Sequence, residues 1–561
     1  MIAGLRTRGL VAVVALVSVA AIVSAAPLGA SNQARVRQQS SGDTLLIAAE
    51  QELATANWIS SSAGSSWGVW ELGVHTLPQA FTVTPAGAYE PGAVLAGEPT
   101  LTEGSPQVVS YPINPDAVWS DGTPITSADF EYLWKQISTG KDIYDATGYK
   151  SITSVDTTDP KTAVVTFSEP YAAWKDLFGG FYFLVPSHLL EGKSLNKAMK
   201  DGYAFSGGPW KLDGGKAGWK KTKSITLVPN DAYWGTKPSI SKVTFQFIVD
   251  SAAETKAVAT GQVLAGYPQP QEGILDEFDK VSDLQYIVDF GNVYEGFWLN
   301  AAKFPLNSQA VRQALMAATD RQAIIDSIVK PAVREGKVLQ SFVMPIFPAY
   351  YTPAFADAGY GPTADLDKVD ALMTGDGWAK GSDGIWAKNG KKATLQIQTT
   401  AGNEARELTE ELWQSQLQTA GFELTIKNPS SDVLFGVNGP KGKFQVGLYA
   451  QVGTPDPGLC ITFCSKNIPS KKNGFVGQNW TRSSDPAIDE AWGAVDVTLD
   501  TEARATAAKT GQAALADYLV SIPLYQKPNV FVWNKAKISG PLEDNPTLGP
   551  FYNMNLWTLA G

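Results

Sequence analysis

Apolar residues recur along this chain at two spacings, and each spacing predicts a different kind of element. In "WSDGTPITSADFEYLWKQI" the segment "SDGTP" is a turn, and Phe130, Leu133, Trp134 and Ile137 then fall on one helical face. Thr126 can cap that helix, with Asp129 three residues on, so the stretch predicts a turn feeding a buried helix beside an exposed-looking Trp119. From Asn307 to Val329, Val311, Ala314, Leu315 and Ala318 keep helical spacing, and the Asp320-Arg321 step starts a second helical run. In "ELTEELWQSQLQTAGFELTIK", Leu408, Leu412 and Trp413 lie on a helix that stops at Gly421. Phe422, Leu424 and Ile426 then alternate as a strand, which makes a helix-to-strand unit of an α/β layer. Asp485 before Pro486 is a cap with proline at the first helical position. "TLLIAAE" from Thr44 and "FQVGLY" read as strands. Strand-like and helix-period runs alternate without a repeat of solenoid or propeller period, so the class is α/β.

The chain has 561 residues, 44% hydrophobic and 18% charged, which is enough for two or three structural units. A net charge of -10 with no long Lys/Arg run argues against a general nucleic-acid binder and slightly favours a neutral or cationic ligand. At the start, Arg6 and Arg8 precede an apolar run from Val11 to Val23 and a small-residue exit at Ser24, Ala25 and Ala26. That run is shorter than the roughly 18–20 residues of a membrane span, so residues 1–30 read as a secretory signal peptide. "LGAS", Leu28 to Ser31, resembles a lipoprotein box with serine in place of the acylated cysteine, so the expected product is exported without a lipid anchor, to the periplasm or the extracellular envelope. Residues 31–43 read as a flexible lead. Cys460 and Cys464 are the only thiols; in an exported chain a short disulfide loop leads, and two free buried thiols is the alternative.

Enzymatic chemistry finds little footing. Ser194 and Lys197 have Ser-x-x-Lys spacing, and Lys509-Thr510-Gly511 resembles a motif of penicillin-recognising enzymes, but the latter lies in a helix-period run instead of a strand. His75 and His188 are isolated, and no phosphate loop, nucleophile elbow or metal-ligand cluster occurs. No catalytic residue, metal or cofactor is expected.

Four segments in order resemble the large solute-binding proteins of the oligopeptide, dipeptide and nickel class of ABC importers, family 5. They are "VWSDGTPITSADF", "GGPWKL" with "ITLVPNDAYWGTKPSISKVTFQFIVD", "YEGFWLNAAKFPLNSQAVRQALMAATDRQAII", and "SSDPAIDEAW" with "SIPLYQ". The resemblance runs from about Thr44 to the C-terminus. It implies a two-lobe periplasmic-binding-protein type II fold of cluster C, with an extra subdomain in the first lobe. On that basis residues 44–90, 206–290 and 531–561 belong to lobe I, residues 91–205 to the subdomain, and residues 291–530 to lobe II. Trp119 to Phe130 becomes scaffold of the subdomain.

The function implied is capture of a peptide or similar small solute by a monomer that hands it to permease and ATPase subunits. The alternative on the same fold is a non-transport envelope regulator or lipid/glycan-pathway binding protein. A cleft between lobes is where ligand pockets form. "NWISSSAGSSWGVW" supplies Trp58, Ser60, Ser61, Ser62, Trp67 and Trp70, with the tryptophans either facing that cleft or packing under the lobe. Tyr294 and Trp298 share a face of an extended segment, as lining or as core. Tyr449, Gln451, Thr454 and Asp456 belong to "LYAQVGTPDPG", whose equivalent in peptide-binding relatives presents an aspartate to the peptide amino terminus. Thr454 replaces that first acid and Asp456 matches a second, so Asp456 either holds an ammonium group or shapes the turn before Pro457.

Overall fold

The strand Thr44–Ala49 buries side chains on both faces, as a central parallel strand must. It pairs in parallel with Lys242–Phe247 on one side and with Ala265–Gly266 on the other. The computed structural model describes residues 44–60, 67–102, 104, 106–141, 143–180, 182–453, 456–545 and 547–560. The predicted signal peptide and lead lie outside them. Around Thr44–Ala49 an 8-stranded mixed sheet runs from Leu284–Asp289 through Asn529–Asn534 and Ala265–Gly266 to it, then through Lys242–Phe247 and Ser224–Pro229 to Trp210–Leu212. Trp219–Lys220 pairs with Ser224–Pro229 as the remaining strand.

A 4-stranded antiparallel sheet, Thr100–Thr102, Val108–Pro112, Thr162–Phe167 and Ile152–Asp156, is covered by the helix Ser127–Thr139. The Asp129 carboxylate organises this corner. It accepts from the Thr126 N–H at 3.0 Å and from the Ser187 N–H and hydroxyl at 2.8 and 2.7 Å. It also accepts from Trp119 Nε1–H at 3.2 Å, and Trp119 is buried, not exposed as its polar neighbours suggested. A buried indole needs a partner for its N–H, and Asp129 is that partner.

The second sheet has 5 strands in the order Glu423–Ile426, Thr394–Gln398, Val446–Val452, Val293–Leu299, Ser521–Gln526. Val293–Leu299 is buried at every position and antiparallel to both neighbours. The helix Glu404–Ala420 stops at Gly421, whose φ of 92° lies in the left-handed region, and the chain enters Glu423–Ile426. That helix buries Trp413 and Leu417, whereas Leu408 faces solvent. Ser308 and Asp320 cap the helices Gln309–Ala318 and Arg321–Ile324, and Asp485 caps Pro486–Val497 through the Ala487 and Ile488 N–H groups.

The apolar side chains form two cores. One includes Trp119, Phe130, Trp210, Phe245, Phe551 and Trp557. The other includes Phe297, Leu395, Trp413, Val446, Leu515 and Ile522. The chain passes between the two large sheets at residues 290–292 and again at residues 527–528. These passages lie side by side: the Gln526 amide donates to the Phe290 carbonyl, and the Lys527 N–H donates to the Val293 carbonyl at 2.8 Å.

Next to the second passage, the buried Asp544 carboxylate accepts from Asn529 at 3.1 Å and from the Tyr267 hydroxyl at 3.2 Å. Its other oxygen meets no donor among the described residues, and burial pushes its pKa up to about 7. The folded protein therefore keeps this proton where the unfolded chain, with an ordinary carboxyl, releases it. This contribution is fully present below about pH 4 and is lost as pH rises toward 7. Asp544→Asn, which does not titrate, is expected to be more stable than the parent at pH 8 by a few kcal/mol and to flatten the decline between pH 5 and pH 8, read by urea unfolding. An equal pH dependence in the two proteins would contradict this assignment.

Candidate binding cavity

A cavity of about 190 Å³ lies between the two cores and takes its walls from both. Trp58, Asp145, Tyr171, Asp176 and Tyr182 line it from the first core's side, and Tyr144 lines it while packing against the second core. From the other come Tyr294, Trp298, Phe342, Tyr449, Asp456 and Trp480. The two walls touch beside it: the Tyr144 hydroxyl donates to Gln478 Oε1 at 2.9 Å, the Gly477 N–H to the Tyr144 carbonyl at 3.1 Å, and the Ala172 N–H to the Asp496 carbonyl at 2.7 Å.

The far wall is built on register. Tyr294 and Trp298 are four residues apart on one extended strand, so they share its face, with ring centroids 6.1 Å apart. Val446–Val452 pairs alongside, and the Tyr449 ring stacks on Trp298 at 5.0 Å and 7° between planes. Trp298 Nε1–H donates to the Tyr449 carbonyl at 2.9 Å, locking the pair. On the opposite face of the same strand, the buried Glu295 carboxylate receives the Arg406 guanidinium through Nη2 at 2.7 Å and Nε at 3.1 Å. The cavity wall thus rests on a buried ion pair.

The structure sorts the sequence-predicted residues into three groups. Trp58, Tyr294, Trp298, Tyr449, Gln451 and Asp456 line the cavity. Trp67 and Trp70, expected as lining, belong instead to the core: their N–H groups donate to Glu50 Oε1 and to the Thr547 carbonyl, each at 3.0 Å, and both rings sit edge-on to Tyr267. Partners inside the lobe satisfy both indoles there. Ser60 is buried in a bridge with Ile143 and does not line the cavity. Ser61, Ser62 and Thr454 lie outside the described residues. Cys460 and Cys464 form a disulfide across the short helix Cys460–Phe463, whose Ile461 and Thr462 line the cavity.

Asp456 has an internal partner that the sequence did not show. Its carboxylate meets the Arg504 guanidinium in a bidentate pair, with Nη1 at 2.6 Å from Oδ2 and Nη2 on Oδ1, both side chains nearly buried. An internal cation already neutralises it, which removes the main reason for it to hold an ammonium group.

Sequence reading missed Tyr144, Asp145, Tyr171, Asp176 and Tyr182. They come from "YDATGY" and "YAAWKDLFGGFYF", and the aromatic density of the second stretch around Gly179 and Gly180 was the available signal. Asp145 accepts from the Thr147 hydroxyl at 2.8 Å and from the Tyr182 hydroxyl at 2.9 Å, and burial raises its pKa. Burial likewise raises Tyr171, further raised by the charges of Asp496, Asp176, Asp145 and Asp456 around it. The lining residues include no Lys, Arg or His among the described residues. Among the described residues, two lining groups have polar atoms without a hydrogen-bond partner: the Tyr294 hydroxyl and Trp480 Nε1–H, on side chains 1% and 6% exposed.

A cavity walled by two α/β cores, with two adjacent chain passages between their sheets, is the arrangement of a two-lobe binding protein. Residues 95–469 match the family of bacterial extracellular solute-binding proteins, family 5, middle region, and the chain belongs to that family, whose members are the solute-binding components of transporters and not enzymes. The oligopeptide-binding protein OppA of Mycobacterium tuberculosis (strain ATCC 25618 / H37Rv) is 28% identical over 464 residues, covering 81% of this chain and 75% of that one. Among solved structures, the periplasmic EDTA-binding protein EppA superimposes with a TM-score of 0.79 at 26% identity, covering 92% of this chain and 96% of its own. The oligopeptide-binding protein AppA from Bacillus subtilis, in complex with a nonapeptide, gives a TM-score of 0.80 at 17% identity over 92% of this chain and 99% of its own. The two-lobe fold expected from the sequence is the fold observed. Among the described residues no helix is long and apolar enough to cross a membrane.

Proposed function

We propose that the protein is an exported receptor that binds a peptide or comparably small solute in the cavity between its lobes and delivers it, as a monomer and without chemical change, to the permease and ATPase of an ABC importer. The observation that carries this reading is the cavity itself: both lobes supply its aromatic walls, and the Tyr294 hydroxyl and Trp480 Nε1–H are left for a ligand. A buried donor without a partner costs about 1–3 kcal/mol, and a bound solute that supplies the missing acceptor recovers it. Lobe opening and closing would turn on residues 290–292 and 527–528, the second passage lying just before the lobe boundary at residue 530 expected from the sequence. Export rests on the leader-like residues 1–30, and Ser31, which has no thiol, supports a form without a lipid anchor.

A solute that binds only the folded protein stabilises it by about 2.7 kcal/mol at a hundredfold excess over Kd. Thermal unfolding with peptides, oligosaccharides and metal chelates is expected to show such an upward shift for one class, with the solute recovered intact at one per chain. Steady consumption of a solute, with no shift from any class, would count against a receptor.

A further inference from the structure

Three of the aromatic rings that line the cavity lie against glycines. A Cβ added at Gly439 would sit 2.4 Å from Trp480 Cε3, one at Gly447 2.8 Å from Tyr449 Cε1, and one at Gly148 2.5 Å from Tyr171 Cε1. Carbon atoms pack at about 3.5–4.0 Å, so each ring occupies space that a side chain at the glycine would fill. At Gly148 the φ of 77° already calls for glycine. Gly439 and Gly447 lie outside the left-handed region, so what they supply is room and not backbone freedom.

Those two glycines serve one corner. Tyr449 follows Gly447 by two positions on the strand Val446–Val452 and shares its face, and Gly439 directly follows the short π-helix Leu434–Asn438 that carries Phe435. Phe435 meets Tyr449 at 5.8 Å and Trp480 at 6.3 Å, and Tyr449 meets Trp480 at 5.9 Å, so the three rings form one cluster on the cavity wall. An added methyl cannot push Tyr449 toward Trp298, which lies parallel to it at 5.0 Å. The direction left to both rings is the cavity that they line. Arg482 donates to the Trp480 carbonyl at 2.9 Å and to the Pro440 carbonyl at 3.0 Å without lining the cavity, so a positive charge already stands beside this corner and repels a second. An uncharged flat group suits it best, since offset and edge-on ring contacts add to the apolar area buried.

We propose that Phe435, Tyr449 and Trp480 form a subsite for a flat apolar or aromatic group of the solute, and that Gly439 and Gly447 set how large a group it admits. This rests on the receptor reading above and names a feature of its substrate. A methyl at either glycine drives a ring into the cavity and excludes the largest groups first.

The test uses two series in which a flat group grows on a fixed scaffold: Ala-Ala-Ala, Ala-Phe-Ala and Ala-Trp-Ala, and the methyl, phenyl and naphthyl β-glucosides. Calorimetry is run on the parent, Gly439→Ala, Gly447→Ala, Phe435→Ala and, as a control where an added Cβ meets nothing within 4 Å, Gly493→Ala. Circular dichroism checks folding, and native mass spectrometry identifies any solute that co-purifies. Phe435 is half-buried, so its truncation is expected to leave the fold intact and provides the test should a glycine variant not fold. In at least one series the parent is expected to bind the larger members at least tenfold more tightly than the smallest. Gly439→Ala and Gly447→Ala are expected to lose at least tenfold for the largest member and less than threefold for the smallest. Phe435→Ala is expected to shrink the preference at least fivefold, and Gly493→Ala to match the parent. No advantage of the larger members in either series, changes in the glycine variants that are equal across a series, a preference unchanged in Phe435→Ala, or a co-purified solute without a flat apolar group overturns the subsite while leaving the receptor standing. A protein that carries no solute and binds none of the six compounds overturns the receptor reading, and the subsite with it.

Discussion

Replacing Arg406 by methionine is expected to lower the folding free energy by about 3–5 kcal/mol, because it strands the Glu295 carboxylate in the second core. Both side chains are at most 5% exposed, and among the described residues each is the other's ion-pair partner. Arg406 also donates to the Thr400 hydroxyl at 3.3 Å, so the pair ties the helix Glu404–Ala420 to the central strand Val293–Leu299 and to the loop before that helix. The double variant Glu295→Gln/Arg406→Met removes the stranded charge and is expected to regain more than half of the loss. The check is urea unfolding of the parent, both single variants and the double variant at pH 7. Additive losses would show that the two groups act independently and would remove the ion pair from this account. The same strand presents Tyr294 and Trp298 to the cavity, so Arg406→Met is expected to weaken ligand binding as well as stability.

Trp298→Ala has the largest expected effect on the cavity. The Trp298 side chain is 1% exposed and stacks on Tyr449 at 5.0 Å, with Phe463 at 6.0 Å and Phe342 at 6.3 Å. Truncation of a buried tryptophan costs about 3–5 kcal/mol, and here the space vacated joins the existing cavity, so neighbouring rings lose support on one side. It also removes the donor to the Tyr449 carbonyl. Binding of whichever solute is identified is expected to weaken at least a hundredfold. Trp298→Phe keeps an aromatic surface and loses the hydrogen bond, so it is expected to cost about 1 kcal/mol for that bond, plus a smaller packing loss. Calorimetry and denaturant unfolding separate the two effects. If Trp298→Ala unfolds more easily but binds unchanged, Trp298 is core and not part of the binding surface.

Local chemistry accounts for much of what could be read before the fold was known. A cap needs only a short polar side chain two or three residues before an N–H, so Asp320 and Asp485 could be placed from spacing alone, and each accepts as expected. The stop at Gly421 needs only a residue that tolerates positive φ. Tyr294 and Trp298 share a face because strand periodicity is two. The four ordered segments sufficed for the family, and the small-residue exit and Ser31 remain sequence-level expectations about export.

Periodicity carries no information about which buried aromatic meets a cavity and which meets another lobe element. Trp58, Trp67 and Trp70 look alike in "NWISSSAGSSWGVW", and what separates them is the tertiary neighbour: Glu50 and the Thr547 carbonyl claim two indole N–H groups, while Trp58 packs on Tyr182 and Phe183 at the cavity wall. Asp456 could be matched to a family position by the turn around it, but its Arg504 partner lies 48 residues further on, in the helix Thr501–Tyr518. Asp145 and Asp176, 31 positions apart, reach one wall only because the tertiary fold brings their two stretches together. The sequence by itself determined the elements, their ends and the family, since those follow from bonds and spacings within a few residues. Only the tertiary structure decided the chemistry of the cavity, because charge compensation and desolvation depend on groups that the chain brings together from far apart.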